Sequence, residues 1–194
     1  MDTHLLAALG AFAFVSSITP GPNNLMLMAS GANFGFRRSI THMLGIGIGF
    51  VVLVMLVGAG LAQVFVAYPV ILRTLSVLYL LYLAWKIATA APATAHTAAG
   101  QPMTFLQAAA FQWVNPKAWS MALTAVTVYS PGPGLWAVAA VALVFGVINL
   151  PSVSTWTMLG QGMARLLTNR TRLRAVNWTM AALLVAALNP VLLP

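Results

Sequence analysis

Apolar residues fill this chain in long blocks, not in the short alternation of strands or the one-sided stripe of a surface helix. A helix that crosses a hydrocarbon core needs roughly 20 mostly apolar residues. Six runs qualify: 5–30, 40–67, 70–88, 104–129, 134–159 and 175–193. Turn-like sequence separates them, at 31–38, at Tyr68-Pro69, in an Ala/Thr/Pro-rich linker over 89–103, at 130–133 and in a basic stretch after Gly160. The pattern predicts an all-α integral membrane protein of six transmembrane helices in a single domain, residues 1–194.

Two runs carry the same kind of interruption. The first is broken by Thr19-Pro20-Gly21-Pro22-Asn23-Asn24, the fourth by Val114-Asn115-Pro116-Lys117. Each break falls roughly 20 Å into its run at about 1.5 Å per residue, near the bilayer midplane. Breaks in helices 1 and 4 divide the chain into two three-helix repeats, about 1–88 and about 104–194, joined by the linker at about 89–103. Three is odd, so the second repeat is inverted relative to the first. Prolines often do no more than kink membrane helices. Paired breaks in inverted halves, each with polar neighbours, point instead to a transporter's binding site.

Composition removes the soluble alternatives. Of 194 residues 61% are hydrophobic and 5% charged, with a mean hydropathy of +0.93. A soluble domain carries about a quarter charged residues. The bilayer is therefore the expected solvent. The net charge of +8 comes from nine basic residues and one acid, Asp2. Arg165, Arg170, Arg172 and Arg174 sit together between apolar runs, as in a cytoplasmic loop touching anionic lipid. That pattern does not suit nucleic acid. With Arg37, Arg38 and Lys86 they place the odd loops in the cytoplasm and both termini in the periplasm. Arg73 is the exception, near enough to the outer end of the third run to snorkel. The absence of cysteine excludes disulfides and thiolate metal sites, and no cofactor is expected. Met1-Asp2-Thr3-His4 lacks the positive start of a signal peptide, so the first run is expected to be retained.

The stretch Thr19-Pro-Gly-Pro-Asn-Asn-Leu-Met, then Gly35-Phe36-Arg37-Arg38-Ser39 and a glycine-rich second run, resembles the LysE/RhtB family of bacterial amino-acid exporters. So do Tyr82-Leu-Ala-Trp-Lys-Ile and Asn115-Pro-Lys-Ala. The resemblance covers the whole chain, and its first half is most similar to the cysteine/O-acetylserine exporter branch. It implies a multi-pass exporter of the bacterial inner membrane, driven by the proton gradient. Many relatives have an acidic residue after the Gly-Pro of the first motif, where this chain has Asn23. That difference argues against a cationic substrate and against a mechanism needing a carboxylate there.

An amino-acid zwitterion needs a partner for its carboxylate and acceptors for its ammonium group. Asn115 followed by Pro116 reads as an N-cap and first helical residue, and Gly21-Pro22 can serve the same way. Each half-helix start offers N–H groups and the positive end of a dipole to a carboxylate. Lys117 beside such a terminus is electrostatically wrong for stability alone, but right if an anion visits; the alternative is that it snorkels. Asn23 and Asn24 either accept the ammonium or satisfy the broken backbone. Asn23, Asn24, Asn115 and Lys117 are the expected substrate contacts. Ser17, Thr19, Asn149, Ser152, Ser154 and Thr155, the last four around Pro151, are candidates for the path, although Ser and Thr often bond their own helix. His42 could carry a proton or sit at the interface.

Gly45 and Gly49 form a small-xxx-small pattern that permits close helix contact within the chain or across a homodimer. Trp85, Trp113 and Trp136 read as interface anchors. The resulting expectation is alternating-access export of a small neutral amino acid. Export of a metal or other small ion is disfavoured by the lack of Cys and of membrane carboxylates. An intramembrane enzyme is disfavoured by the lack of a nucleophile–base pair or a His-Glu-x-x-His motif.

Overall fold

The computed structural model describes residues 1–61, 63, 67, 69–89, 101–132, 134–166 and 170–186. Among these there is helix and no strand. The elements are α1 (Thr3–Ile18), α2 (Pro22–Leu56), a π-helical turn (Val57–Leu61), α3 (Pro69–Ala88), α4 (Phe105–Phe111), α5 (Pro116–Tyr129), α6 (Leu135–Leu166) and α7 (Arg170–Ala186).

Local chemistry sets the helix starts. The Asp2 carboxylate accepts the amides of His4 and Leu5 at the head of α1. Thr104 and Gln107 form a reciprocal capping box on α4. Pro22 and Pro116 stand in the first turns of α2 and α5, where a missing N–H costs nothing.

α2 is not one rod. Gly35 has φ 78° and ψ 170°, a combination that in practice only glycine adopts. The Ser30 and Ser39 hydroxyls lie 2.8 Å apart, whereas nine residues of straight helix would separate them by about 13 Å. Leu27 shares a cluster with Met43 and Ile46. The chain therefore doubles back at Gly35 into two arms, 22–34 and 36–56. The turn lies inside the predicted loop at 31–38 but is tighter than that loop, because one glycine makes it.

α2 packs chiefly on α6 and α4, α1 on α6, and α3 on α7. The largest apolar cluster joins α1, the second arm of α2, α5 and α6 through Leu9, Phe50, Leu53, Trp119 and Phe145. Phe12 stacks on Tyr129 there at 5.2 Å. The backbones of α2 and α6 cross with only glycine between them. A Cβ on Gly31 would overlap the Thr157 carbonyl, and one on Gly160 the Met28 carbonyl. Gly45 and Gly49 press on α4, against Phe105, Ala108 and Ala109. That pair serves a contact within the chain.

The surface is apolar and the interior carries the amides. Trp136 is 90% exposed, Leu106 75% and Val70 73%, while Asn24, Gln112, Asn115, Asn149 and Asn177 are buried. Water as solvent would select the reverse. Pro22–Leu61 and Leu135–Ala164 are long and apolar enough to cross a membrane by length and composition, the former only through its second arm because the chain doubles back at Gly35.

Some expectations shift. α6, with Pro151 inside it, continues past residue 159 to Leu166. Trp113 is partly buried, its ring meeting Trp119 edge-on at 6.3 Å while its carbonyl accepts the Trp119 indole. Trp85 and Trp136 do face outward. Residues 90–100 of the linker, the end of the sixth run at 187–193, and the side chains of Arg73, Arg165 and Arg170 lie outside what is described.

Candidate functional site

Two interruptions between helices, one from α1 to α2 and one from α4 to α5, lie against each other. Between Ile18 and Pro22 the chain leaves the helix, and Pro20 and Pro22 lack the N–H groups that would reach Ser16 and Ile18. Carbonyls left over where a helix ends must find other donors. Asn24 Nδ2 donates to the Ser17 and Thr19 carbonyls at 2.8 and 2.9 Å. The Trp156 indole donates to the Ile18 carbonyl at 3.1 Å. Lys117 Nζ donates to the Thr19 carbonyl at 2.7 Å and to the Pro20 carbonyl at 3.5 Å. Four successive carbonyls thus take side-chain donors from three elements.

The second interruption separates α4 from α5. Asn115 caps α5, its Oδ1 accepting the Lys117 amide at 3.2 Å. Gln112 Nε2 donates to the Ala108 carbonyl at 2.9 Å. Gln112 and Asn23 also exchange a reciprocal pair of amide hydrogen bonds, 2.9 and 3.2 Å long.

The crossings follow one rule. The residue after each first-turn proline, Asn23 after Pro22 and Lys117 after Pro116, reaches the opposite interruption. Lys117 therefore sits at the positive start of its own helix and at the negative end of α1. The second placement offsets the first.

Asn23, Asn24, Asn115, Lys117, Gly21 and Ser17 all line one cavity, together with Asn149 from α6. Its volume is about 20 Å³, room for a water molecule and far short of an amino acid. Asn149 Nδ2 donates weakly to Ser17 Oγ at 3.4 Å, while its buried Oδ1 has no partner among the described residues. Ser152 Oγ is likewise buried without a partner there. A Cβ on Gly21 would stand 2.7 Å from Lys117 Cδ. Glycine at that position leaves the lysine its path.

Other residues singled out in the sequence fall elsewhere. Ser154 and Thr155 bond the carbonyls of Leu150 and Pro151 on their own helix, and Thr155 is exposed. Thr19 is exposed, and its hydroxyl bonds the Val15 carbonyl. It serves the site through its backbone. His42 lies away from the interruptions, beside a second cavity. Sequence reasoning missed Gln112 and Trp156. Gln112 was legible as an amide four residues before Pro116, but nothing local marks the indole of Trp156. Among the described residues no three His, Asp or Glu side chains gather as metal ligands would.

The family model of LysE type translocators matches residues 14–189, a span holding both interruptions. The chain belongs to the LysE family. A cysteine/O-acetylserine efflux protein of Escherichia coli K12 is 31% identical over 95% of this chain and 96% of its own length. The protein of that name from Klebsiella pneumoniae is 29% identical over 95% of each. One from Salmonella typhimurium reaches 38% over 66% of this chain and 67% of its own. No solved structure matches. As a LysE-family member the chain is a membrane transporter and not an enzyme, which accounts for its apolar exterior.

Proposed function

We propose that this LysE-family member exports a small neutral amino acid or a close derivative such as O-acetylserine, by alternating access at the paired interruptions. The observation that carries the reading is the Lys117 ammonium, held between the start of α5 and the loosened end of α1 in a cavity with an unpartnered Asn149 Oδ1. The arrangement is closed, with the lysine bonded to the Thr19 and Pro20 carbonyls. On loading, Lys117 exchanges these carbonyls for the substrate carboxylate, aided by the α5 dipole. The released carbonyls and Asn149 Oδ1 become acceptors for the substrate ammonium. The relatives' names support the substrate class. Proton-motive force is the proposed drive.

Efflux from liposomes over a panel of neutral and basic amino acids tests the function. Wild type is expected to favour O-acetylserine and cysteine. Asn23→Asp removes a donor from the Gln112 pair and adds a carboxylate, so preference should shift toward basic substrates by about tenfold. A panel with no amino-acid efflux overturns the reading. Unchanged selectivity removes Asn23 from the site.

The reciprocal crossings, together with the packing of α1 on α6 and of the second α2 arm on α4, support two inverted three-helix repeats in six spans. Arg37, Arg38, Lys86 and the basic stretch near α7 support odd loops on the cytoplasmic side of the inner membrane. Cysteines introduced at Asp2 and Arg172 in this Cys-free chain should react with an impermeant reagent from opposite sides, Asp2 from the periplasm. Labelling of both from one side would overturn the inverted arrangement.

A further inference from the structure

A second cavity of about 590 Å³ lies between the first arm of α2, α3 and the approach to α4. That volume is within the range of small-ligand sites. Met26, Leu83, Ile87 and Met103 give it a soft apolar wall, and Ser30, His42, Lys86 and Gln107 give it polar groups. Asn33 and Lys86 stand at helix ends on the side that the basic loops assign to the cytoplasm. Met26 is about one turn beyond Asn23, and Gln107 about a turn and a half before Gln112. The cavity thus lies on the cytoplasmic side of the Asn23–Gln112 pair.

His42 borders this cavity and is 1% exposed, yet neither imidazole nitrogen has a hydrogen-bond partner among the described residues. A buried donor and acceptor left unmade is costly; both nitrogens are closed to the cavity as it stands, and a turn of the imidazole toward it would let a ligand satisfy them. Lys86 Nζ lies 6.0 Å from the Tyr82 ring centroid. The lysine is exposed, open to an anion from solution, in a chain whose one acidic side chain is Asp2.

We propose that this cavity is a loading site for the amino-acid zwitterion, separate from the site at the interruptions. His42 accepts from the substrate ammonium, Lys86 faces the carboxylate, and the methionine wall takes the side chain. The inference deepens the proposed transport by giving the substrate a first station before the Asn23–Gln112 pair opens.

The test uses the Cys-free chain in phosphatidylcholine nanodiscs, with Met103→Cys as a reporter and Ile87→Cys as a second. Alkylation by a small water-soluble thiol reagent is timed against increasing O-acetyl-L-serine. Protection is expected at both reporters. It should weaken about tenfold or more with N-acetyl-L-serine, which lacks the ammonium, and likewise in the His42→Phe background, which removes the imidazole while filling its space. Absence of protection at both reporters overturns the proposal, as does protection that His42→Phe leaves unchanged. Protection produced by phosphatidylglycerol alone would make the ligand a lipid headgroup and overturn it too. Protection that depends on His42 in a protein without amino-acid efflux keeps the site and removes the transport reading. Efflux without protection removes the site alone.

Discussion

Lys117→Met is expected to cut efflux of O-acetylserine roughly ten- to a hundredfold while leaving the melting temperature within a few degrees of wild type. The two expectations have different causes. A charge-assisted hydrogen bond to substrate is worth roughly 1.5–3 kcal/mol, and the methionine stem cannot make one. For the fold, losing the contacts to the Thr19 and Pro20 carbonyls is offset by no longer holding a cation within the membrane, about 2.5–3.5 kcal/mol at a helix centre. The Thr19 carbonyl also keeps Asn24 as a donor. Efflux from liposomes and thermal melting in detergent, measured on the same preparations, separate the two. A stable variant that exports at the wild-type rate would remove Lys117 from substrate binding. A variant that fails to fold would make the lysine a structural tie between the two interruptions and nothing more.

The largest effect on stability is expected from Gly160→Ala. Its methyl would overlap the Met28 carbonyl, and backbone cannot rotate aside as a side chain can. Overpacking of an ordinary core costs about 1–3 kcal/mol, and this contact belongs at or above the upper end. That corresponds to a melting temperature lower by roughly 10 °C, or to loss of the monodisperse protein. Gly31→Ala should behave alike, since its methyl would overlap the Thr157 carbonyl on the same helix crossing. Gly47→Ala and Gly162→Ala are the controls. Nothing lies within 4 Å of a Cβ at either position, and alanine favours helix by up to about 1 kcal/mol. Equal melting temperatures for Gly160→Ala and Gly162→Ala would show that α2 and α6 do not cross so closely.

Asn23, Asn24, Asn115 and Lys117 were legible as a group because proline, glycine and amides in an apolar run leave backbone groups that must be answered. Which group answers which was not legible. Asn24 and Asn115 satisfy backbone groups of their own interruptions, the blander of the two roles open to them. Lys117 bonds the far one. Gly45 and Gly49 carried two readings, and the packing of α4 against them supplies the contact within the chain. Gly31 looked like loop, but it is the helical half of a close crossing whose other half, Gly160, is over a hundred residues away.

The bilayer as solvent, the helical class and the helix ends beside Pro20, Pro22 and Pro116 were readable from the chain alone. Each depends on local composition: apolar run length against bilayer thickness, and a missing N–H wherever proline stands. Tertiary structure alone decided that Gly35 folds α2 into a hairpin, that Asn23 meets Gln112, that Lys117 and Trp156 complete the end of α1, and that His42 borders a different cavity. Those pairings are set by how helices far apart in the chain pack together. Residue spacing along the sequence carries no record of a distance across the bundle.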